Sequence, residues 1–205
     1  MKYPVRKQSL VQHHRLGQSC LFLAVLTGGL LCTRAAHALL NAGVEVGVVK
    51  RTASAPDNLK LGFGYGAHAE LSLFPALNVG AYFLRSTNAI QDAPSDSSAD
   101  ATFNTLGLRA RLILPIPGDT KPYGYVGLGH NWTKYSAAGS PDISGQSWEV
   151  PIGVGIAHKW LELFQLSLEA AYRPSFHFTG DAYETANVTH PSSGWSALVG
   201  FAIDL

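Results

Sequence analysis

Charge, cysteine and long apolar stretches are all scarce in this chain. Only 14% of its 205 residues are Asp, Glu, Lys or Arg, against about 25% in a typical soluble domain. Both cysteines, Cys20 and Cys32, lie within the first 38 residues, so residues 39–205 cannot form a disulfide, a Cys-ligated zinc site or a thiol nucleophile. The same 167 residues contain no apolar run of the roughly 18 residues that a membrane-spanning helix needs.

The charge that is present excludes another class of partner. Residues 39–205 carry 10 basic and 14 acidic side chains, which gives a net charge of −4. A nucleic-acid-binding domain needs a clustered basic surface, so we expect no nucleic-acid partner. The acidic and histidine residues show no metal-ligand spacing, and the sequence contains no cofactor motif. We therefore predict neither a metal nor a cofactor.

Residues 1–38 have the composition of an export signal. They contain five basic residues and no acid; four of the basic residues precede an apolar run over residues 21–32, and Arg34 and the sequence Ala36-His37-Ala38 follow it. This order of segments is typical of a signal peptide that is removed after a small-x-small site. As a helix the apolar run would reach about 18 Å, well short of a ~30 Å hydrocarbon core. We predict a signal peptide at 1–38 and one domain at 39–205.

The rest of the chain alternates between apolar and other residues. From Leu59 to Leu73 every second residue is apolar, and the residues between them are mostly glycine or polar. A period of two indicates a β-strand. The pattern predicts eight strands, whose apolar positions span 44–48, 59–73, 77–83, 106–114, 126–132, 148–160, 164–172 and 195–205. The links between them are alternately long and short, which predicts an all-β fold, an eight-stranded antiparallel up-and-down barrel.

The composition of the second face indicates where the apolar face points. A soluble, lipocalin-like barrel is the alternative, and it would need charged and hydroxyl side chains on its outer wall. The non-apolar face is instead rich in glycine, at positions 62, 64, 66, 107, 127, 129, 153 and 155. Glycine weakens a solvent-facing strand but makes room in a crowded interior. The pattern therefore favours a transmembrane barrel whose apolar side chains face lipid.

Large aromatic residues cluster near both ends of the predicted strands. Such residues form two interfacial girdles in membrane barrels. The predicted girdle at the end with the long links comprises Trp132, Trp148, Phe176, Phe178 and Trp195, and the one at the other end comprises Trp160 and Phe164.

Charged residues on the inward positions have mixed signs. An eight-stranded barrel has an interior just wide enough to be filled by side chains. The predicted network comprises Glu45, Glu70, Arg109, Arg111, Glu149, Lys159, Glu169 and Arg173. We interpret it as a paired network that plugs the interior. The alternative is a narrow pore, because charged rings can also select ions.

The chain resembles the small eight-stranded outer-membrane proteins of Gram-negative bacteria, of the OmpA transmembrane domain, OmpX and OmpW type. The resemblance rests on the Ala36-His37-Ala38 site, the glycine-rich strand over 121–129 and the closing alternation from Trp195 to Leu205. It implies residence in the bacterial outer membrane and contact with its lipid and lipopolysaccharide. It also implies insertion by the barrel-assembly machinery, which reads a final Phe or Trp in family members where this chain has Leu205.

Two functions follow from the resemblance besides a structural or surface-interaction role. The OmpW type implies a narrow channel for small or hydrophobic solutes. The sequence His177-Phe178-Thr179 resembles the His-x-Ser of outer-membrane lipid A 3-O-deacylases, with Glu184 to orient the histidine. In such an enzyme a base-activated hydroxyl attacks an ester. The hydroxyl here belongs to Thr, and the alternation places His177 and Thr179 inward, away from lipid. The deacylase therefore ranks third, and we expect no catalytic residue.

Overall fold

The structure, a computed structural model, describes residues 40–52, 59–90, 99–137, 141–161, 163–181 and 193–205. The predicted signal peptide lies outside the described residues and remains a prediction. Within these ranges, no helix has both the length and the apolarity needed to cross a membrane.

Nine strands account for almost all of the described chain. They are β1 (Leu40–Thr52), β2 (Gly62–Phe74), β3 (Leu77–Ala89), β4 (Ala99–Ile113), β5 (Thr120–Ala137), β6 (Ile143–Glu149), β7 (Ile152–Leu161), β8 (Phe164–Thr179) and β9 (Ser193–Asp204). Burial alternates along the strands as the sequence predicts, for example in β1 to β4, and the alternation is lost near the ends of β7 and β8.

The strands close into a barrel. Each pairs antiparallel with its neighbours, and β1 pairs with β9 from Asn41–Asp204 to Thr52–Ser193. Following the paired residues once around the ring from Pro122 leads back to β5 at Trp132, ten residues further along. With eight strand positions and ordinary strand spacings, this offset corresponds to a tilt of about 40°. The predicted up-and-down barrel is confirmed.

β6 and β7 together occupy one strand position. Both pair with β5 on one side and with β8 on the other. Between them, the backbone N–H of Val150 donates to Pro174 O at 3.0 Å, and Gly127 N–H donates to Pro151 O at 2.9 Å. Pro151 has no N–H to donate, so the ladder lacks one bond there. The interruption divides one predicted strand into β6 and β7, so the eight predicted strands become nine strands in eight positions. The sequence did not reveal the division, because the alternation continues unchanged through the proline.

The strands run further than predicted at the end with the long links. β3 continues to Ala89, β4 begins at Ala99, and β6 begins at Ile143, within segments predicted as links. Conversely, Leu59, predicted to begin a strand, forms only an isolated bridge with Ile90 ahead of β2. We refer to the two ends as the long-link end and the short-turn end, the latter marked by the turns 74–77 and 114–119 and by Leu161 and Phe164, where β7 ends and β8 begins.

The two faces of the wall have opposite character. Large apolar side chains on the outer face are exposed, such as Leu108 at 64% and Val154 at 67%, as expected for a surface that lipid would cover. The side chains on the inner face are buried and largely polar or charged. We call the interior that they fill the bore.

Two tyrosine rings in the bore lie flat against glycine backbone. A side chain at Gly153 would collide with the ring of Tyr125, and one at Gly155 with the ring of Tyr123. Glycine is needed here for close approach, because the Tyr125 hydroxyl donates to Glu169 Oε1 at 2.6 Å only with its ring in this position.

The variant Gly153→Ala should therefore lower the free energy of unfolding by about 1 to 3 kcal/mol, through overpacking against Tyr125. Gly124→Ala is a matched control, since its new methyl group would meet only Gly153 O at 3.7 Å, and should change stability by about 0.5 kcal/mol or less. Urea unfolding of the folded barrel, followed by tryptophan fluorescence, measures both. Equal effects of the two variants would contradict the packing described.

Candidate functional site

Five charged side chains form a cluster in the half of the bore nearer the short-turn end. We call it the lower cluster, and it comprises Glu45, Glu70, Glu169, Arg109 and Arg111. Arg109 Nε donates to Glu70 Oε1 at 2.5 Å, and Arg109 Nη1 lies 3.8 Å from Glu45 Oε2 and 3.6 Å from Glu169 Oε2. Arg111 Nη2 lies 3.0 Å from Glu70 Oε1. Since Arg109 is on β4 and Glu169 on β8, this network crosses the bore.

Three more charged residues form the upper cluster, nearer the long-link end. Glu149 accepts from Arg51 Nη1 at 2.8 Å and from Arg173 Nη1 at 2.9 Å. Arg173 Nε also donates to Ser196 Oγ at 3.1 Å. Glu149 is fully buried and both arginines are at most 2% exposed. One carboxylate therefore pairs with two cations, from β8 and from β1, and this cluster carries a net charge of +1.

Every arginine of the two clusters also lies over an aromatic ring. The pairs are Arg51 over Phe103 at 5.0 Å, Arg109 over Tyr125 at 5.4 Å, Arg111 over Tyr123 at 4.6 Å and Arg173 over Tyr82 at 5.8 Å, measured to the ring centroid. Cation–π contacts are strongest where water is excluded. The rings thus fix the guanidinium groups and fill the space around them.

An aliphatic contact separates the two clusters along β1. Val49 lies between Glu45 and Arg51 on that strand, and it packs against Leu84 of β3 and Leu198 of β9. All three side chains are at most 1% exposed. Because β2 lies between β1 and β3, this apolar contact joins non-neighbouring strands on one side of the bore.

The structure brings together seven of the eight residues predicted to form the charge network. The exception is Lys159, which lies near the short-turn end, is 42% exposed and pairs with Asp204 at 2.9 Å. Lys159 follows the inward alternation of β7, but it lies near the end of that strand, beyond the lower cluster, where its side chain reaches solvent. Sequence reasoning missed Arg51, which has the same alternation as Glu45 and was available from that signal. The tyrosines and His68, whose Nε2 lies 3.1 Å from Asn41 Oδ1, were also missed.

The predicted girdle residues lie on the outer wall, except Phe178, which lies in a bulge of β8 between Phe176 and Thr179. Trp132, Trp148, Phe176 and Trp195 are 37–47% exposed, and Trp160 is 67% exposed, while Phe164 and Phe178 are half-buried. His130 packs edge-on against Trp132 and Trp148, with ring centroids 4.6 Å and 5.1 Å away. Their role as interfacial anchors is a prediction that follows from this placement.

The two described residues of the deacylase alternative, His177 and Thr179, are both exposed and do not point into the bore. His177 is exposed with a φ of 53°, and it lies in a bulge between the pairs Trp148–Phe176 and Gln146–Thr179. The bulge inserts one residue into β8, so Thr179 is aligned with the outward-facing Gln146. The predicted inward placement of His177 and Thr179 is therefore wrong, because a bulge reverses the alternation beyond it. Glu184 lies outside the described residues.

Comparisons with known proteins give the same architecture. The family model described as outer membrane protein beta-barrel domain matches residues 22–190. No curated protein matches the chain. The solved structures that resemble it include Neisserial surface protein A, with a TM-score of 0.65, 16% identity and coverage of 81% of this chain and 97% of that one.

Two further structures show the same fold at low identity. A major outer membrane protein from Thermus thermophilus has a TM-score of 0.57 and 17% identity, covering 82% of this chain and 100% of its own. Ail from Yersinia pestis, in complex with the heparin analogue sucrose octasulfate, has a TM-score of 0.56 and 11% identity, with coverages of 82% and 99%. The family match spans most of the sequence, and the outward apolar wall agrees with it. The chain therefore belongs to the outer membrane protein β-barrel domain family and is a transmembrane barrel of the bacterial outer membrane.

Proposed function

We propose that this chain is a closed, non-conducting barrel with a structural or surface-interaction role and no catalytic step. The observation that carries the proposal is the buried network in which Arg109 of β4 lies 3.8 Å from Glu45 of β1 and 3.6 Å from Glu169 of β8, across the bore. An ion passing through the bore would have to break these pairs, and a buried charge left without its partner is expensive. The long links are proposed to face the cell exterior, where they would meet their partners.

The charge balance of the bore supports closure. The described bore buries four glutamates and four arginines, each at most 4% exposed. A selective pore would present a ring of one sign to a water-filled lumen. Here each arginine is held by a carboxylate and an aromatic ring, so moving any one side chain would leave a buried charge without its partner.

Single-channel recording in planar bilayers tests this proposal. The folded chain should insert, as shown by heat-modifiable migration on a gel, and should produce no stable openings at voltages of either sign. Stable openings from the wild-type monomer would overturn the plug and favour the narrow channel. A Lys159→Gln variant is the control, because Lys159 lies outside the two clusters and should leave the recording unchanged.

A further inference from the structure

A polar cleft on the outer wall lies at the aromatic girdle of the long-link end. It has a volume of about 390 Å³, within the range of small-ligand sites. Four residues that are cross-strand partners form a row across the cleft, one from each of four adjacent strand positions. The row comprises Asn104 of β4, Trp132 of β5, Gln146 of β6 and Thr179 of β8.

The bulge at His177 completes this row. Without the extra residue, the residue opposite Gln146 would be Phe178 instead of Thr179, given the pairing of Trp148 with Phe176. A non-glycine residue with a φ of 53° is uncommon and locally strained. The strained residue thus places a hydroxyl, rather than a phenyl ring, beside Gln146.

The two amide side chains of the row are free to bind. The amides of Asn104 and Gln146 lie on either side of Trp132, and neither makes a hydrogen bond to any other described part of the chain. Each amide offers both donors and an acceptor, and an indole offers a flat apolar face with one N–H. A flat apolar face flanked by donors and acceptors matches a sugar ring, which has C–H groups on its faces and hydroxyls at its edge.

The charge at the cleft favours a neutral ligand. Lys134, the one basic residue among those lining it, pairs with Asp142 at 2.8 Å. Hydrogen bonds from Lys134 and then from Ser136 lower the pKa of the Asp142 carboxyl, so the carboxylate is ionised at neutral pH and can pair with Lys134. The cleft therefore offers hydroxyl recognition rather than a free cation for phosphate.

The position of the cleft identifies the source of the sugar. Trp132 lies in the girdle with Trp148 and Phe176, and such girdles lie at the level of lipid headgroups. We propose that this cleft binds a neutral sugar unit of the glycolipid in the outer leaflet. The inference rests on the proposed outward orientation of the long links but is independent of whether the bore conducts.

Binding of fluorescently labelled rough lipopolysaccharide to the folded full chain in detergent, measured by anisotropy, tests the inference. The double variant N104L/Q146L should weaken binding about tenfold, since it removes hydrogen bonds at two positions. Leucine is more compatible with acyl chains than either amide, so poorer contact with lipid tails cannot explain a loss. Thr87→Leu, an outward residue of β3 beyond the cleft, should stay within twofold of wild type.

A second pair of variants separates the cleft from the girdle. Trp132→Leu should weaken binding at least fivefold, whereas Trp148→Leu, a girdle residue outside the cleft, should stay within twofold. Unlabelled lipopolysaccharide should displace the probe and phosphatidylglycerol should not. Affinity of the double variant within twofold of wild type, equal losses in the two tryptophan variants, or displacement by phosphatidylglycerol would each overturn the inference. None of these variants changes the bore, so a closed bore should still show no channel openings. The recording and the binding assay therefore test the closed bore and the sugar-binding cleft independently.

Discussion

Replacing Glu149 by glutamine should lower the free energy of unfolding by about 3 to 5 kcal/mol. The variant keeps the shape of the side chain but leaves Arg51 and Arg173 buried without a carboxylate. Both arginines are at most 2% exposed, so water cannot solvate the guanidinium groups that have lost their carboxylate. Urea unfolding in lipid vesicles, followed by tryptophan fluorescence and by gel migration, measures the loss.

Two controls decide whether the loss comes from unpaired buried charge. Lys159→Gln breaks the pair with Asp204, but this pair is partly exposed and should cost about 1 kcal/mol or less. The triple variant R51L/E149L/R173M replaces all three ions by apolar groups and should recover much of the stability that E149Q loses. A loss with E149Q no larger than that with Lys159→Gln would contradict the upper cluster described here.

The second large effect is expected on the outer wall. Val154→Arg should cost about 2 to 4 kcal/mol of folding free energy in a bilayer, the range for a cation at the midplane of a membrane barrel. Val154 lies about midway between Trp148 and Trp160 of the same strand position and is 67% exposed. Because position 154 faces lipid rather than protein, an arginine there would place its charge in hydrocarbon, and this raises the free energy of the folded state.

A depth control accompanies this variant. Leu161→Arg, at the short-turn end of β7 and 59% exposed, should cost about 1 kcal/mol or less because charges near the interface reach water. Unfolding in vesicles of defined thickness gives both values. If the two substitutions cost the same, or if neither changes stability, the position of the membrane on this barrel is different from the one inferred.

The alternation of the sequence was sufficient to predict the fold and the facing of most residues. It works because a strand has a period of two and because each face meets a different solvent. From Val44 to Val48 and from Ile152 to Ile156, the apolar positions lie outside as expected. The same rule failed beyond His177, because a bulge adds one residue to β8 there and the sequence contains no signal for that bulge.

The partners within the bore could not be predicted in the same way. Alternation states that Arg109 and Glu169 point inward, but not that they lie at the same height. The position of each residue along the barrel axis depends on the ten-residue offset around the ring. This offset determines which inward residues meet, such as Arg51 and Glu149, which are 98 residues apart in the sequence. Lys159 shows the converse, because its alternation is right and its height places it outside the network.

The seam between β1 and β9 has a consequence for how the molecule is made. Leu40 and Leu205 exchange two backbone hydrogen bonds, at 2.9 Å and 2.8 Å, while every other pairing joins strands that are close neighbours along the chain. Bringing together segments so far apart costs the most chain entropy. We therefore expect pairing of β1 with β9 to be a late and slow step of assembly, and until it forms, the free edges of these two strands can pair with other chains.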